Sequence, residues 1–110
     1  MVQEHTRALL VLQTSLPDEA RARDLAQAVV AGRLAACVQE SAIRSTYAWE
    51  GAVERAEEVR LDMKTTARRL PALLAFVRAH HPYDEPELIV LRADASESYA
   101  AWVAAETTET

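Results

Sequence analysis

Asparagine is absent from this sequence of 110 residues, and lysine occurs once, as Lys64. Glycine occurs only as Gly32 and Gly51, which excludes a glycine-rich loop for phosphate binding. Cys37 is the single cysteine, so the chain cannot form an internal disulfide. No Cys-x-x-Cys or His-Glu-x-x-His spacing occurs, and a ready-made zinc site is therefore excluded.

The composition is typical of one small globular domain. Hydrophobic residues make up 50% of the chain and charged residues 26%. We therefore predict a single domain over residues 1–110, with an ordered core of about residues 7–106 and frayed ends. The net charge of −5 argues against a nucleic-acid partner. No apolar run is long enough to span a bilayer and the first residues do not resemble a signal peptide, so we expect a cytoplasmic protein without a membrane partner.

Hydrophobic patterns predict four strands. Unbroken apolar runs within 7–13 and 88–91 indicate two strands that are covered on both faces. Between them, apolar and polar residues alternate over 43–50 and again over 53–64. This alternation predicts a hairpin of two long strands with its turn at Glu50-Gly51.

Helical spacing of apolar residues predicts three helices. The first begins at about Pro17 and stops at Gly32, and the second begins near Pro71 and ends at Pro82, just after two histidines. Ser96 is expected to cap a short last helix. One face of that helix is expected to carry Tyr99, Trp102 and Val103.

The predicted order of elements indicates an α+β fold, the ferredoxin-like βαββαβ sandwich with an added C-terminal helix. Right-handed crossovers place the first two helices on one face of the sheet. The other face is then bare, although the first and last strands are apolar on both sides. A soluble monomer rarely exposes such a surface, so we expect further copies of the chain to cover it.

Six segments carry a family resemblance: Pro17-Asp18-Glu19-Ala20, Arg33-Leu34-Ala35-Ala36-Cys37-Val38, Tyr47-Ala48-Trp49-Glu50-Gly51, Lys64-Thr65-Thr66, His80-His81-Pro82-Tyr83-Asp84-Glu85-Pro86-Glu87 and Tyr99-Ala100-Ala101-Trp102. In this order and spacing they resemble the CutA divalent-cation-tolerance family. The resemblance implies a ferredoxin-like subunit assembled as a homotrimer, similar in plan to the PII signalling proteins. It also implies an association with copper and other divalent cations.

Two positions depart from the family's pattern. Some members carry a cysteine at the end of the first strand, proposed as a metal ligand beside the paired histidines, and Thr14 stands there in this chain. The missing thiolate is the soft donor that favours copper(I). Asp62 lies in a strand where the family usually has an apolar residue. A carboxylate inside a trimer is costly unless it is paired, and Arg60 and Arg44 are the candidate partners.

The adjacent histidines His80 and His81 are the candidate metal ligands, with copper(II) or another divalent cation as the bound ion and no cofactor required. Adjacent residues seldom point the same way, so one subunit is expected to offer one ligand and the rest must come from elsewhere. The alternative is that both histidines cap the C-terminus of the second helix, where a histidine cation is favoured.

A second candidate site is a cleft between subunits, surrounded by Trp49, Lys64, Tyr83 and Glu87, that holds a small anion or cation. The alternative is a structural ion pair between Lys64 and Glu87 at the subunit boundary. Cys37 follows an apolar segment and is expected to be buried and inert rather than reactive or metal-binding.

Three functions follow from these features. The first is a trimeric, non-catalytic protein that binds or responds to copper and other divalent metal ions. The alternative is a PII-like sensor that binds a small anionic ligand in clefts between subunits, although a single lysine and a short hairpin turn disfavour a nucleotide. The third is an enzyme. Acylphosphatases share the fold but position water with an arginine and an asparagine, and this chain has no asparagine, so we expect no catalysis.

Overall fold

The apolar run that predicts the first strand lies in the interior of a four-stranded antiparallel sheet. The computed structural model of the chain describes residues 4–109. The strands lie in the order β2-β3-β1-β4. In chain order the elements are β1 (Thr6–Leu16), α1 (Glu19–Ala31), β2 (Cys37–Trp49), β3 (Ala52–Thr65), α2 (Leu70–His80), β4 (Ile89–Ser96) and α3 (Glu97–Glu106). The predicted α+β order with an added C-terminal helix is confirmed.

Local signals determine where the helices begin and end. Asp18 caps α1 by accepting a hydrogen bond from the Arg21 N–H at 2.8 Å. Ser96 caps α3, as predicted, through the Tyr99 N–H at 3.3 Å. The second helix ends at His80 rather than after both histidines, because His81 precedes Pro82 and has an extended backbone. No helix within residues 4–109 has the length and apolar character needed to cross a membrane.

Helices α1 and α2 cover the same face of the sheet, as predicted. Alternate residues of β1 and β3 point towards them, and the apolar stripes of both helices complete a buried core. Full burial of each large apolar side chain stabilises the fold by about 1.5–3 kcal/mol. The core includes Leu12, Leu16, Leu25, Val29, Val59, Leu61, Met63, Leu73 and Val77.

The face of the sheet opposite α1 and α2, here called the open face, is partly polar. Strand register places Gln13 of β1 beside Asp62 of β3 on this face. Strand β4 lies at the sheet edge and leaves Ile89, Val90 and Leu91 45%, 39% and 42% exposed. Within one chain β4 is therefore not covered on either face, since Ile89 and Leu91 point to one face and Val90 to the other.

The residues predicted to share one face of the third helix are buried to different degrees. Val103 is fully buried, whereas Trp102 is 44% exposed. Its buried stripe consists of Ala100 and Val103, three residues apart. Tyr99 and Trp102 lie together on the predicted face, with ring centroids 5.6 Å apart, and of its three residues only Val103 is fully buried.

The hairpin of β2 and β3 is longer than the rest of the sheet. These strands pair from Cys37 opposite Lys64 to Trp49 opposite Ala52, whereas β1 pairs with β3 only as far as Val59. Residues 43–58 therefore form a projecting arm. Its turn has Glu50 at φ 49° and Gly51 at φ 80°, the two left-handed residues of a type I′ hairpin turn, which confirms the predicted turn.

Arg33, supported by Arg69, contacts the last turn of α3 and the residues after it. This set of contacts is here called the clasp. The Arg33 guanidinium donates to the carbonyls of Ala105 and Thr108 at 2.7 and 2.8 Å. Arg69 donates to the Arg33 carbonyl at 2.9 Å. Thr107 is 4% exposed. Residues 107–109 thus have defined contacts, and the fraying expected at the ends stays a prediction; residues 1–3 and 110, also expected to fray, lie outside the described residues.

Candidate functional site

The histidine-rich segment lies where three parts of the chain meet. Helix α2 carries it to the sheet, and Pro82 and Pro86 keep the following loop from continuing as helix. His81 contacts the end of β1, and Tyr83 contacts the arm. The loop therefore connects α2, β1 and the hairpin before the chain enters β4.

His81 has both ring nitrogens engaged in hydrogen bonds. Its Nε2 lies 2.9 Å from the Ser15 carbonyl and 3.0 Å from Thr14 Oγ1. A carbonyl only accepts, so Nε2 carries the proton. Nδ1 then accepts from the Tyr83 N–H at 3.1 Å. Burial lowers the pKa of His81, against smaller opposing effects of the Ser15 hydrogen bond and the charge of Glu58.

His80 has a different environment. Its Nδ1 donates to the Phe76 carbonyl at 2.8 Å, and its ring stacks on that of Phe76 with centroids 4.1 Å apart. This bond fixes the tautomer and leaves the Nε2 lone pair without a partner within residues 4–109. A backbone carbonyl behind the ring is the support that metal-binding histidines usually have. Of the two predicted ligands, His80 therefore presents a donor atom and His81 does not.

Metal ligands do not converge in the single chain. Within residues 4–109 no group of three or more His, Cys, Asp or Glu side chains is arranged to hold an ion. Thr14 stands where some family members carry a cysteine proposed as a metal ligand. It is fully buried and its hydroxyl contacts His81, so this residue stabilises the fold and offers no thiolate. One chain thus supplies an incomplete coordination shell.

Tyr83 links the loop to the arm. Its hydroxyl donates to Glu58 Oε2 at 2.8 Å. Burial and then this carboxylate raise the pKa of Tyr83 far above its ordinary value of 10.0. The phenol therefore remains a neutral donor over the physiological range, and the loop and arm stay joined.

A cleft of about 520 Å³ opens beside this contact, and it is here called the acidic cleft. Three of the four residues predicted for the inter-subunit cleft lie in its walls within one chain: Trp49, Tyr83 and Glu87. Glu58, Asp84 and Glu85 add carboxylates, and among the described residues of one chain no basic side chain lines the walls. The complete lining is Ser15, Tyr47, Trp49, Glu58, Pro82, Tyr83, Asp84, Glu85 and Glu87. A small anion is disfavoured in such a setting.

Lys64 does not line the acidic cleft of its own chain. Its Nζ lies 5.4 Å from the centroid of the Tyr99 ring, at the other end of β3. This distance is within the range of a cation–π contact. Within the described residues of one chain, Lys64 and Glu87 form no ion pair.

Asp62 has one of its two predicted partners. Its Oδ2 lies 3.6 Å from Arg60 Nε, and Arg44 makes no ion pair with it among residues 4–109. Asp62 Oδ1, Arg60 Nε and Ser41 Oγ are buried without a hydrogen-bond partner in the described chain. The open face therefore contains several polar atoms with unmet hydrogen bonds.

Cys37 is half-buried rather than buried. It is the first residue of β2 and pairs with Lys64 near the end of the sheet, where its side chain stays partly exposed. The prediction of a buried cysteine is wrong on this point. Glu58 and Tyr47, which line the acidic cleft, were not among the predicted site residues. In the hairpin Ile43 pairs with Glu58 and Tyr47 pairs with Glu54, so Glu58 and Tyr47 lie on the same face of the arm. The register of the two strands was the signal that could have found them.

Comparisons with known proteins place these features in a family. The family model described as CutA1 divalent ion tolerance protein matches residues 10–106. The divalent-cation tolerance protein CutA of Escherichia coli (strain K12 / DH10B) is 43% identical over 101 residues, which are 90% of this chain and 89% of that protein. The structure of CutA from Synechococcus elongatus PCC7942 superposes with a TM-score of 0.90 at 37% identity, covering 96% of this chain and 95% of that one. The divalent cation tolerance protein of Thermus thermophilus gives 0.85 at 38% identity, covering 93% and 100%.

Proposed function

The chain belongs to the CutA1 divalent ion tolerance family, and on that premise we propose that it is a homotrimeric, non-catalytic protein that binds or responds to copper and other divalent cations. The match over residues 10–106 is the observation that carries the proposal. It spans every strand and helix described here except the start of β1.

The metal ion is proposed to bind His80 through Nε2. The donor atom is free, the opposite nitrogen is held by the Phe76 carbonyl, and the ring is exposed. Imidazole without a thiolate suits copper(II) better than copper(I). Because one chain offers no cluster of three ligands among residues 4–109, water or other copies of the chain supply the remaining ligands.

Exposed apolar side chains and unpaired polar atoms on the sheet of one chain support the trimer. Ile89, Val90 and Leu91 form an exposed apolar stretch on an edge strand. Edge strands with apolar side chains tend to pair with other chains unless they are protected. The unmet polar atoms of Asp62 and Arg60 on the open face also favour a partner surface that carries donors and acceptors.

The absence of catalysis is supported by the protonation of His81 in the one hydroxyl–histidine contact found within residues 4–109. Thr14 Oγ1 lies 3.0 Å from His81 Nε2, a distance found between nucleophiles and their bases. However, Nε2 holds the proton that it donates to Ser15, so it cannot accept one from Thr14. Thr14 is also fully buried and out of reach of a substrate. A cytoplasmic location is also proposed, because a chain with one cysteine lacks the disulfide framework that is common in small secreted domains.

Light scattering after size exclusion tests the assembly. We expect a mass of three 12.2 kDa subunits at micromolar concentration. Leu91→Glu is expected to dissociate the trimer, because it puts a charge into the proposed contact. Val30→Glu is the matched control, since Val30 is similarly exposed at 42% but lies on α1. A wild-type mass of one subunit removes the trimer from the proposal.

Calorimetric titration with copper(II) tests the ligand. His80→Ala is expected to weaken binding more than about tenfold, since loss of even an outer-shell partner commonly has that effect. His81→Gln is expected to leave the affinity unchanged, provided that circular dichroism shows a folded protein. His5→Ala controls for an exposed histidine elsewhere. Equal affinity of the wild type and His80→Ala refutes the assignment.

A further inference from the structure

We propose that Asp24 of α1 is a second ligand of the divalent cation at His80, so that the ion bridges α1 and α2 of one chain and water completes its shell. The inference rests on the proposed function, because it starts from His80 as a ligand, and it adds a residue outside the segments that carry the family resemblance. Both side chains line one groove between the two helices, here called the helix groove. Its lining is Leu16, Arg21, Asp24, Leu25, Ala28, Phe76, His80 and Pro82.

The antiparallel arrangement of the two helices brings Asp24 to the same end of the helical layer as His80. Helix α1 starts just after the end of β1. Helix α2 finishes at that same end of β1, because the next residue, His81, bonds to the Ser15 carbonyl. The second turn of α1, which contains Asp24, therefore lies near the last turn of α2, which contains His80.

His80 is held at the helix groove in a conformation suited to metal binding. Phe76 lines the groove, and the imidazole stacks on its ring with centroids 4.1 Å apart. The bond from Nδ1 to the Phe76 carbonyl, 2.8 Å long, leaves Nε2 as the donor atom for an ion. A ring fixed in this way loses little conformational entropy when a ligand binds.

Asp24 has an unused carboxylate in the same groove. Arg21, three residues earlier, would be its usual helical partner, but the Arg21 Nε lies 3.8 Å from Oδ2 of Asp18 instead. Within residues 4–109 Asp24 has no ion pair and no side-chain hydrogen bond. The charge of Arg21 is offset by Asp18, and water screens it because 59% of the Arg21 side chain is exposed. The Asp24 carboxylate is thus available to a cation.

The groove has room for an ion between the two side chains. Asp24 and His80 form no ion pair with each other in the described chain. A metal ion keeps nitrogen and oxygen ligands at about 2.0–2.2 Å, so two ligands of one ion lie up to about 4 Å apart. The groove volume of about 380 Å³ accommodates the ion and its waters. Imidazole suits copper(II) and zinc, and a carboxylate also binds zinc.

The helix groove lies on the helical side of the sheet, away from the open face. Its floor consists of Leu16 and Leu25, which belong to the core beneath α1 and α2. In the proposed trimer, the contacting surfaces are the open face and the edge strand β4. Assembly therefore leaves the groove accessible to metal ions, and the two protein ligands come from a single chain.

Copper(II) titration by calorimetry tests the second ligand. Asp24→Asn keeps the shape of the side chain but removes its charge, and it should weaken binding at least about tenfold, as loss of a metal-site partner commonly does. Glu19→Gln is the matched control, since it removes one charge from α1 outside the helix groove. The double variant with His80→Ala should bind no more weakly than His80→Ala alone, because both residues serve one site. Thermal unfolding in EDTA verifies that the variants are folded.

Asp24→His is expected to increase metal affinity. Two imidazoles suit nickel(II) better than one imidazole and one carboxylate, so this variant should bind nickel(II) more tightly than the wild type. Addition of His80→Ala should abolish the gain, and Glu19→His is the control. The inference is overturned, and the proposed function stands, if only His80→Ala weakens copper(II) binding or if Glu19→His gains as much as Asp24→His. Unchanged copper(II) affinity in both Asp24→Asn and His80→Ala overturns the inference together with the assignment of His80.

Discussion

The imidazole Nε2 of His81 lies 3.0 Å from the hydroxyl of Thr14, a residue 67 positions earlier in the chain. Together with the Ser15 carbonyl, this contact holds the end of α2 against the end of β1. The position where the family resemblance led us to look for a thiolate ligand is therefore occupied by a partner of the histidine. Of the two adjacent histidines, one builds the fold and the other has a free donor atom.

The stability of the protein is expected to fall with decreasing pH through His81. Its pKa is lowered in the folded state, mainly by burial, so below the ordinary value of 6.5 the unfolded chain binds the proton first. The stabilisation is complete above about pH 6.5 and is lost progressively as the pH falls towards the folded pKa. Urea unfolding of the wild type and His81→Gln between about pH 8 and pH 5 measures this.

His81→Gln is expected to cost about 1–3 kcal/mol at neutral pH, because it leaves buried hydrogen-bonding groups unsatisfied. Its stability is also expected to depend less on pH than that of the wild type. His80→Ala serves as the control and should change stability by less than about 0.5 kcal/mol, as for a surface substitution. Parallel pH profiles for the wild type and His81→Gln contradict the assigned role.

Removal of the Tyr83 hydroxyl is expected to loosen the loop from the arm. Tyr83→Phe should cost about 1 kcal/mol, the usual net value of one hydrogen bond. Combined with Glu58→Ala in a double-mutant cycle, it should show a positive coupling energy. Tyr99→Phe is the control, since the Tyr99 hydroxyl has no hydrogen-bond partner within residues 4–109. In an ultraviolet titration one tyrosine should ionise well above pH 10.0, and Glu58→Ala should lower that pH. Additive effects in the cycle argue against the contact.

The clasp is expected to stabilise the C-terminal end. Arg33→Ala removes the bonds to Ala105 and Thr108 and should cost about 1–3 kcal/mol. Arg33→Gly should cost about 1 kcal/mol less, because Arg33 has a left-handed φ of 58°, which glycine adopts freely. Amide hydrogen exchange in residues 105–109 should accelerate in both variants. Arg23→Ala, an exposed change on α1, should leave it unchanged, and equal exchange in all variants disproves the clasp.

Asp62→Asn is expected to raise the free energy of unfolding by about 1 kcal/mol. The substitution keeps the shape of the side chain but removes a charge whose Oδ1 is buried without a partner. Arg60 loses a 3.6 Å contact at its buried Nε, but 41% of its side chain is exposed, so the rest of its guanidinium charge can still be hydrated. Thermal unfolding with Glu57→Gln as control measures the change. A fall in stability means that the ion pair with Arg60 outweighs the cost of burial.

Local chemistry explains which parts of the fold were predictable. The turn at Glu50-Gly51 needs two left-handed residues, and Ser96 is a good N-cap, so neighbouring residues alone determine these features. The apolar stripe of α1 follows from helical spacing in the same way. These elements do not depend on contacts with distant parts of the chain.

Contacts between distant residues account for what sequence reasoning missed. Glu58 and Tyr83 are 25 positions apart, and Arg33 and Thr108 are 75 apart. Neither partner has a sequence signal that points to the other. Lys64 was assigned to the cleft, although its position near the end of β3 places it beside Tyr99, away from Glu58. The sequence therefore predicted which loop carries the candidate site. That Glu58 joins this loop and makes the cleft acidic could be seen only from the strand register of the folded sheet.

The position of β1 between β3 and β4 has a consequence for synthesis of the chain. β1 leaves the ribosome well before β4, yet its pairing with β4 joins Val11 to Leu91 and Thr6 to Ser96. The sheet therefore stays open on one side of β1 until β4 has been translated. Contacts of such large sequence separation also slow folding. During that interval the apolar edge of β1 is exposed to chaperones and to neighbouring nascent chains.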